Sequence, residues 1–376
     1  MFRSRSDGLF SSILVVADNV STDKAKISVF GAGSWGMTLA WLLGNAGNEV
    51  CLYTREQAKA EKLTVSRAVV SPVHVVLPEL VKVTSDINEA VRGDRLLLLC
   101  STSQTMRELA THLARALLEE KDSRREPALV VSAVKGLELT TLKRMSEVIA
   151  ECIDDVSICT LSGPNLADEI LEGKPAATVI SSRSEAVASS VQSILRTNKF
   201  RVYTNTDIVG TELGGAVKNI IAIAAGVSDG LSLGANAKAA LLTRGLAEMT
   251  RLAEAMGGRS STMAGLAGMG DLFATCASFT SRNYRMGQAL ASGVTAQQAE
   301  DELGVVAEGV KTTFAVCELA KRLNLELPIA LAVGSMLSGK TTPEGAIMTL
   351  MTRPPASEAR RFDPPAGQSV NSGTGN

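Results

Sequence analysis

The sequence predicts an α/β protein, with a doubly wound, mostly parallel sheet in the N-terminal half and an all-helical C-terminal domain. Three observations lead there. Between residues 26 and 203, short apolar β-branched runs alternate with longer amphipathic segments, the rhythm of parallel strands joined by crossover helices. An early turn, Gly31-Ala32-Gly33-Ser34-Trp35-Gly36, sets glycines where a strand must pass sharply into a helix. After Asp207 the strand pattern gives way to alanine, leucine and methionine at helical spacing.

A chain of 376 residues is long enough for two separate apolar cores. The first 25 residues carry Arg3 and Arg5 among serines, but Asp7, Asp18 and Asp23 weaken any targeting signal, and we expect a disordered extension. Strands are expected over residues 26–31, 49–54, 95–100, 128–132, 157–162, 177–181 and 201–203, several apolar on both faces as buried strands are. Helical patterns follow over 208–250, 295–303, 310–323 and 343–351, broken by glycine turns at Gly257-Gly258 and over 265–270. The boundary falls near residues 204–208, giving domains of 26–205 and 206–352. Residues 353–376 hold four prolines and three glycines without apolar periodicity, and we expect a disordered tail.

Bulk properties exclude several classes of function. The 38 basic residues balance 39 acidic ones, with no run of one sign, so nucleic acid is not an expected partner. The longest apolar stretches, such as 220–227, fall short of the roughly 18 residues a bilayer span requires. Six scattered cysteines without a CxxC pair read as buried thiols in a reducing compartment, which points to the cytoplasm. Only His74 and His112 occur, and both sit in structural contexts, so zinc cages and Ser-His-Asp triads are not expected, nor is any metal.

The glycine turn has the context its chemistry needs. Ile27-Ser28-Val29-Phe30 leads into it, and Met37 continues at helical spacing. Gly31 permits the tight turn, Gly33 lets backbone approach a pyrophosphate, and Gly36 lets the helix pack closely, while free N–H groups at the helix start favour anionic oxygens. Residues 26–205 thus read as a Rossmann-like dinucleotide-binding domain. At the tip of the second strand the chain reads Tyr53-Thr54-Arg55-Glu56, with no acid at the strand tip itself for a ribose 2′-hydroxyl and a guanidinium able to meet a 2′-phosphate, while Glu56 just beyond keeps NAD open. NADP is therefore slightly favoured over NAD.

In the helical half, Lys218 stands alone among small and apolar residues of Leu213-Gly214-Gly215-Ala216-Val217-Lys218-Asn219-Ile220. Burial would disfavour its ammonium form and suit it to proton transfer during hydride chemistry; the alternative from spacing alone is a lysine that snorkels from a packed helix. Asp271, after Gly268-Met269-Gly270, would sit in a flexible turn, orienting that lysine or serving as an ordinary turn or N-cap residue. Ser281-Arg282-Asn283 offers a hydroxyl, a guanidinium and an amide suited to phosphate, though Ser as a cap with Arg in solvent is the commoner use of such a triplet. The same reservation holds for Lys135-Gly136.

Taken together, the motifs resemble the bacterial-type NAD(P)-dependent glycerol-3-phosphate dehydrogenases over roughly residues 26–350. The resemblance rests on residues 31–36, Lys135-Gly136-Leu137-Glu138, Ser162-Gly163-Pro164-Asn165-Leu166-Ala167, the lysine helix, Arg244-Gly245-Leu246-Ala247-Glu248, the glycines before Asp271, Ser281-Arg282-Asn283 and Glu308-Gly309. It implies reversible hydride transfer interconverting dihydroxyacetone phosphate and sn-glycerol 3-phosphate, supplying the latter for phospholipid synthesis. It further implies cofactor contacts from Ser34, Trp35, Arg55, Ala167, Val306 and Glu308, contacts to both ligands from Lys135 and Arg282, and a substrate site of Gly163, Asn165, Asp271, Ser281 and Asn283, with Lys218 as proton acceptor. A homodimer is also expected. The chain departs from the family in carrying Asn165 where Thr or Ser is usual, and Ser101-Thr102-Ser103 for Val-Pro-Ser, which alters the stiffness of a turn expected near the nicotinamide. Two other readings fit the residues alone: a related dehydrogenase acting on a carboxylate, and a nucleotide-sensing protein without chemistry.

Overall fold

The structure is a computed structural model that describes residues 25–69, 74–93, 96–120, 127–303 and 307–355. The expected N-terminal extension lies outside the described residues, as does Val306 and most of the expected tail.

Eight strands form one sheet in the order β10-β9-β8-β7-β6-β1-β2-β5. They are β1 (Lys26–Phe30), β2 (Glu49–Tyr53), β5 (Val81–Thr84), β6 (Leu96–Leu99), β7 (Ala128–Ser132), β8 (Val156–Ser162), β9 (Ala176–Ser181) and β10 (Phe200–Asn205); β3 (Ala68–Val69) and β4 (Val75–Val76) make a separate antiparallel ribbon. Every pairing in the large sheet is parallel except β8 with β9. The mostly parallel α/β class is thus the observed one. The strand β5 and the ribbon were not expected: runs of two to four residues, one interrupted by Lys82, carry too little pattern to stand out.

Side-chain alternation splits this core between two faces. Ile27, Val29, Leu52, Leu96 and Leu98 pack against Leu39 and Leu43 of α1 (Ser34–Asn45) on one face. Phe30, Leu97 and Leu99 pack on the other against Met106 and Leu113 of α4 (Met106–Glu119) and Ile149 of α5 (Met145–Cys152). The remaining helices of this half are α2 (Gln57–Ser66), α3 (Ile87–Val91), α6 (Ala167–Leu171) and α7 (Glu185–Leu195). The sheet reverses direction at β1, whose neighbours are β2 and β6, so the turn after β1 opens at the switch point where open α/β sheets bind ligands.

From residue 208 onward the described chain is helical: α8 (Ile208–Gly230), α9 (Gly234–Ala255), α10 (Ser260–Met263), α11 (Asp271–Ala277), α12 (Arg282–Ala291), α13 (Ala296–Leu303), α14 (Glu308–Arg322), α15 (Pro328–Leu337) and α16 (Pro343–Met351). The axis of this half is α8, buried along nearly its whole length and wrapped by α9, α11, α12, α14 and α15. Glycine permits the tightest approach: a Cβ on Gly226 would lie 2.0 Å from the Tyr284 carbonyl oxygen, and one on Gly287 of α12 would lie 1.9 Å from that of Ile223. Counting only uninterrupted apolar runs understated α8. Its 23 residues are long and apolar enough to cross a membrane, but 89% of its most apolar window is buried within the protein, the condition of a core helix.

Candidate active site

The turn after β1 has the geometry its three glycines foretell. Gly31 has φ +118°, and a Cβ there would lie 2.7 Å from the Cys100 carbonyl oxygen. A Cβ on Gly36 would meet the Gly31 carbonyl at 1.9 Å, so the first turn of α1 rides directly on the loop. Gly33 alone faces open space, with nothing within 4 Å of its would-be Cβ. It is also the N-cap of α1, with no side-chain cap and no acidic residue in the first turn. Unmet N–H donors at a helix start beside a bare backbone fit a pyrophosphate. Trp35 Nε1 is buried without a hydrogen-bond partner, Ser34 is exposed, and Ala167 begins α6, which packs on α1. Arg55, beyond the tip of β2, is largely exposed and forms an ion pair with Glu108 at 3.6 Å. Such an exposed pair contributes little and leaves the guanidinium available.

A largely buried cluster joins the two halves of the chain. Lys218 projects from α8 and is 6% exposed; its Nζ donates to Asp271 Oδ1 at 2.7 Å and to Thr275 Oγ1 at 2.5 Å. Lys135, on the loop after β7, donates to the other oxygen of Asp271 at 2.6 Å and to the Gly163 carbonyl at 2.9 Å. One carboxylate therefore bridges two ammonium groups. Burial and the neighbouring Lys218 bring the Lys135 ammonium down to about 8 despite the opposing pull of Asp271.

Asp271 does not lie in a flexible turn, contrary to expectation. It is 1% exposed and starts α11, directly after a π-helical turn, Leu266–Gly270. That glycine-rich stretch is packed rather than loose: a Cβ on Gly268 would lie 2.2 Å from the Met263 carbonyl, and one on Gly214 of α8 would lie 2.5 Å from that of Ala267. The glycines bring backbone against backbone and so fix Asp271 opposite Lys218.

Around the cluster, Gly163 follows β8 with φ +150°, and Asn165 donates from Nδ2 to Thr178 Oγ1 at 2.9 Å while its Oδ1 is buried with no partner. The Ser162 hydroxyl is likewise buried and unpartnered. Ser281 caps α12, accepting from the Tyr284 N–H at 3.3 Å, which is the ordinary use of such a serine. Asn283 is buried and accepts from the Gly309 N–H at 3.0 Å. Arg282 occupies the first position of α12, and its positive charge is felt at Glu308. Glu308 starts α14 and takes a hydrogen bond from Ser103 Oγ at 2.7 Å; burial raises its carboxyl above the usual range. His74 and His112 are both exposed.

Three participants escaped the sequence reading. Thr275 stands four residues after Asp271, a helical spacing that would have placed both on one face had α11 been recognised. Ser103 lies within the altered turn, where it ties the sheet to α14. Gln104 steadies the Lys135 loop, donating to the Leu137 carbonyl at 2.8 Å and accepting from the Leu139 N–H at 3.1 Å.

A dinucleotide turn at the sheet's switch point, together with one lysine from the sheet half and one from a helical second domain held on a single carboxylate, defines a two-domain NAD(P)-dependent dehydrogenase. The chain belongs to the NAD-dependent glycerol-3-phosphate dehydrogenase family, whose N-terminal model matches residues 26–188 and whose C-terminal model matches residues 207–348. It is 43% identical over 337 residues to a glycerol-3-phosphate dehydrogenase [NAD(P)+] of Chlorobium phaeobacteroides, covering 89% of this chain and 99% of the relative. A protein of the same name from Citrifermentans bemidjiense is 45% identical over 333 residues, covering 87% and 97%. Among solved structures, the glycerol-3-phosphate dehydrogenase of Coxiella burnetii superposes with a TM-score of 0.81 at 35% identity, covering 88% of this chain and 99% of that one.

Proposed function

We infer that this chain interconverts dihydroxyacetone phosphate and sn-glycerol 3-phosphate with NAD(P), and that Lys218, Lys135 and Asp271 form its reacting centre. The observation that carries the assignment of residues is the single buried carboxylate of Asp271 bridging one lysine from each half of the chain. NAD(P), when bound at the glycine turn, supplies or receives the hydride at C2. In the reducing direction the Lys218 ammonium gives its proton to the C2 oxygen, and in the oxidising direction the neutral amine takes it back. Asp271 holds both lysines in register, while Thr275 fixes the Lys218 rotamer. Lys135 and Arg282 answer the substrate phosphate with positive charge, and the Asn165 Oδ1 and Ser162 hydroxyl beside them are buried without partners of their own.

Arg55 favours NADP over NAD, since no acid at the tip of β2 competes for the ribose hydroxyl. The product is a precursor for phospholipid synthesis. Six free thiols, two of them fully buried, support a reducing, cytoplasmic setting, and the assembly is a homodimer, to be checked by sedimentation. One assay tests substrate, reaction and cofactor together: steady-state oxidation of NADPH and NADH with dihydroxyacetone phosphate. Saturable turnover with NADPH as the better reductant is expected, and no turnover with either would reject the assignment.

A further inference from the structure

One well-formed cavity lies away from the lysine cluster. It is a groove of about 520 Å³ between the far half of α8 and helices α9, α15 and α16, a size ordinary for small-molecule sites. Its apolar wall includes Ala240, Leu241, Val333, Met336, Ile347 and Leu350, and no aromatic side chain lines it. A wall of branched and flexible aliphatic groups suits a chain better than a flat ring.

Some of the donors along the groove have no acceptor. Arg244 lines it, half-buried, and has no hydrogen-bond or ion-pair partner among the described residues. Arg353 also lines it, and although its Nη2 reaches Glu326 at 3.2 Å, its Nε is buried with no partner. The Ser228 hydroxyl, on a residue 5% exposed, is in the same condition. Glu248, the one acid in the lining, has both oxygens occupied, accepting from the backbone N–H groups of Ile329 at 2.7 Å and Ala330 at 3.2 Å. A ligand that satisfies this set brings an anionic acceptor and an aliphatic body.

We propose that this groove binds a long-chain aliphatic carboxylate, its head taken by Arg244 and Arg353 and its chain laid against α15 and α16. The site is separate from the reacting centre: Ser228 lies ten residues beyond Lys218 on the same helix, or about 15 Å along its axis.

The test is titration calorimetry of the full-length protein with sodium dodecanoate below its micellar concentration. One saturable site per chain is expected, with affinity at least tenfold weaker for hexanoate and for 1-decanol, which shorten the chain or remove the charge. Arg244→Gln and Arg353→Gln should each weaken dodecanoate binding severalfold, and Ala240→Trp, which fills the groove, should abolish it. Unchanged turnover in the absence of dodecanoate serves as the folding control for all three. Absence of saturable heat, or equal affinity in wild type and variants, overturns the proposal. So does an Ala240→Trp chain that dissociates in sedimentation, which would show that the groove is filled by a second copy.

Discussion

Asp271 has an ammonium on each oxygen, and that doubling governs what its neighbours do when the surroundings change. Lys218→Ala should lower kcat by about 10² to 10⁴, the usual worth of a positioned acid or base, while the Kd for NADPH stays within about twofold in a fluorescence titration. Retained turnover would show that the proton travels by another route. Lys135 gives a pH dependence. Its ammonium falls to about 8 against the ordinary 10.5, so below pH 8 it is charged in both folded and unfolded chains. Between 8 and 10.5 the unfolded chain holds more protons, and this group's contribution therefore makes the fold more stable as pH rises through that window. Substrate capture runs the other way: KM for dihydroxyacetone phosphate should rise as pH passes about 8, and a flat profile to pH 9.5 would remove Lys135 from the phosphate site. At the cofactor, Arg55→Ala should cut the NADPH over NADH ratio of kcat/KM about tenfold, as expected for loss of a charge-assisted contact to phosphate. An unaltered ratio sinks the NADP preference.

The helices carry these groups, and α8 is held where it is by what it lacks. At Gly226 and Gly287 the α8 and α12 backbones touch, so Gly287→Ala forces a methyl against the Ile223 carbonyl. It should destabilise the protein by at least about 1–3 kcal/mol, the cost of overpacking a filled core. A lower urea midpoint, with lost activity as α8 shifts Lys218, is the expected readout. The sequence displayed this part of the design unevenly. The β1 turn and the lysine helix were legible because their constraints are local: three glycines within six residues, and one charge in an apolar run. The stretch before Asp271 misled, because glycines that loosen a chain and glycines that let two backbones meet look alike in one dimension. The short β5 and α15, which opens at Pro328 amid an apolar run, were missed for want of pattern length.

The two halves are joined through polar groups as well as apolar ones. Arg144, at the start of α5, donates to Glu212 of α8 at 2.6 Å, and the same carboxylate accepts from the Ser146 N–H at 2.7 Å and hydroxyl at 2.6 Å. Ser181 of β9 meets Thr211 of α8 at 2.6 Å, and Ser103 meets Glu308. None of these was legible, since partners 68 or 205 positions apart are brought together only by the finished fold. Burial pushes the Glu212 carboxyl up while Arg144 and Ser146 pull it down. Glu212→Ala leaves the buried guanidinium with Glu147, at 2.9 Å, as its remaining ion-pair partner among the described residues and should cost about 1.5–3 kcal/mol, seen as a lower unfolding midpoint and a smaller interdomain cooperativity in calorimetry.

Lys135 and Asp271 have a bearing on ancestry too. Lys135 comes from the sheet half and Asp271 from the helical half, so neither half alone carries the proposed reacting centre. A recombination event that joined residues 26–205 to a foreign helical partner would transmit a serviceable cradle for a dinucleotide and a lysine with no carboxylate to meet it. On the proposed centre, the two halves would have to descend together, as one heritable unit.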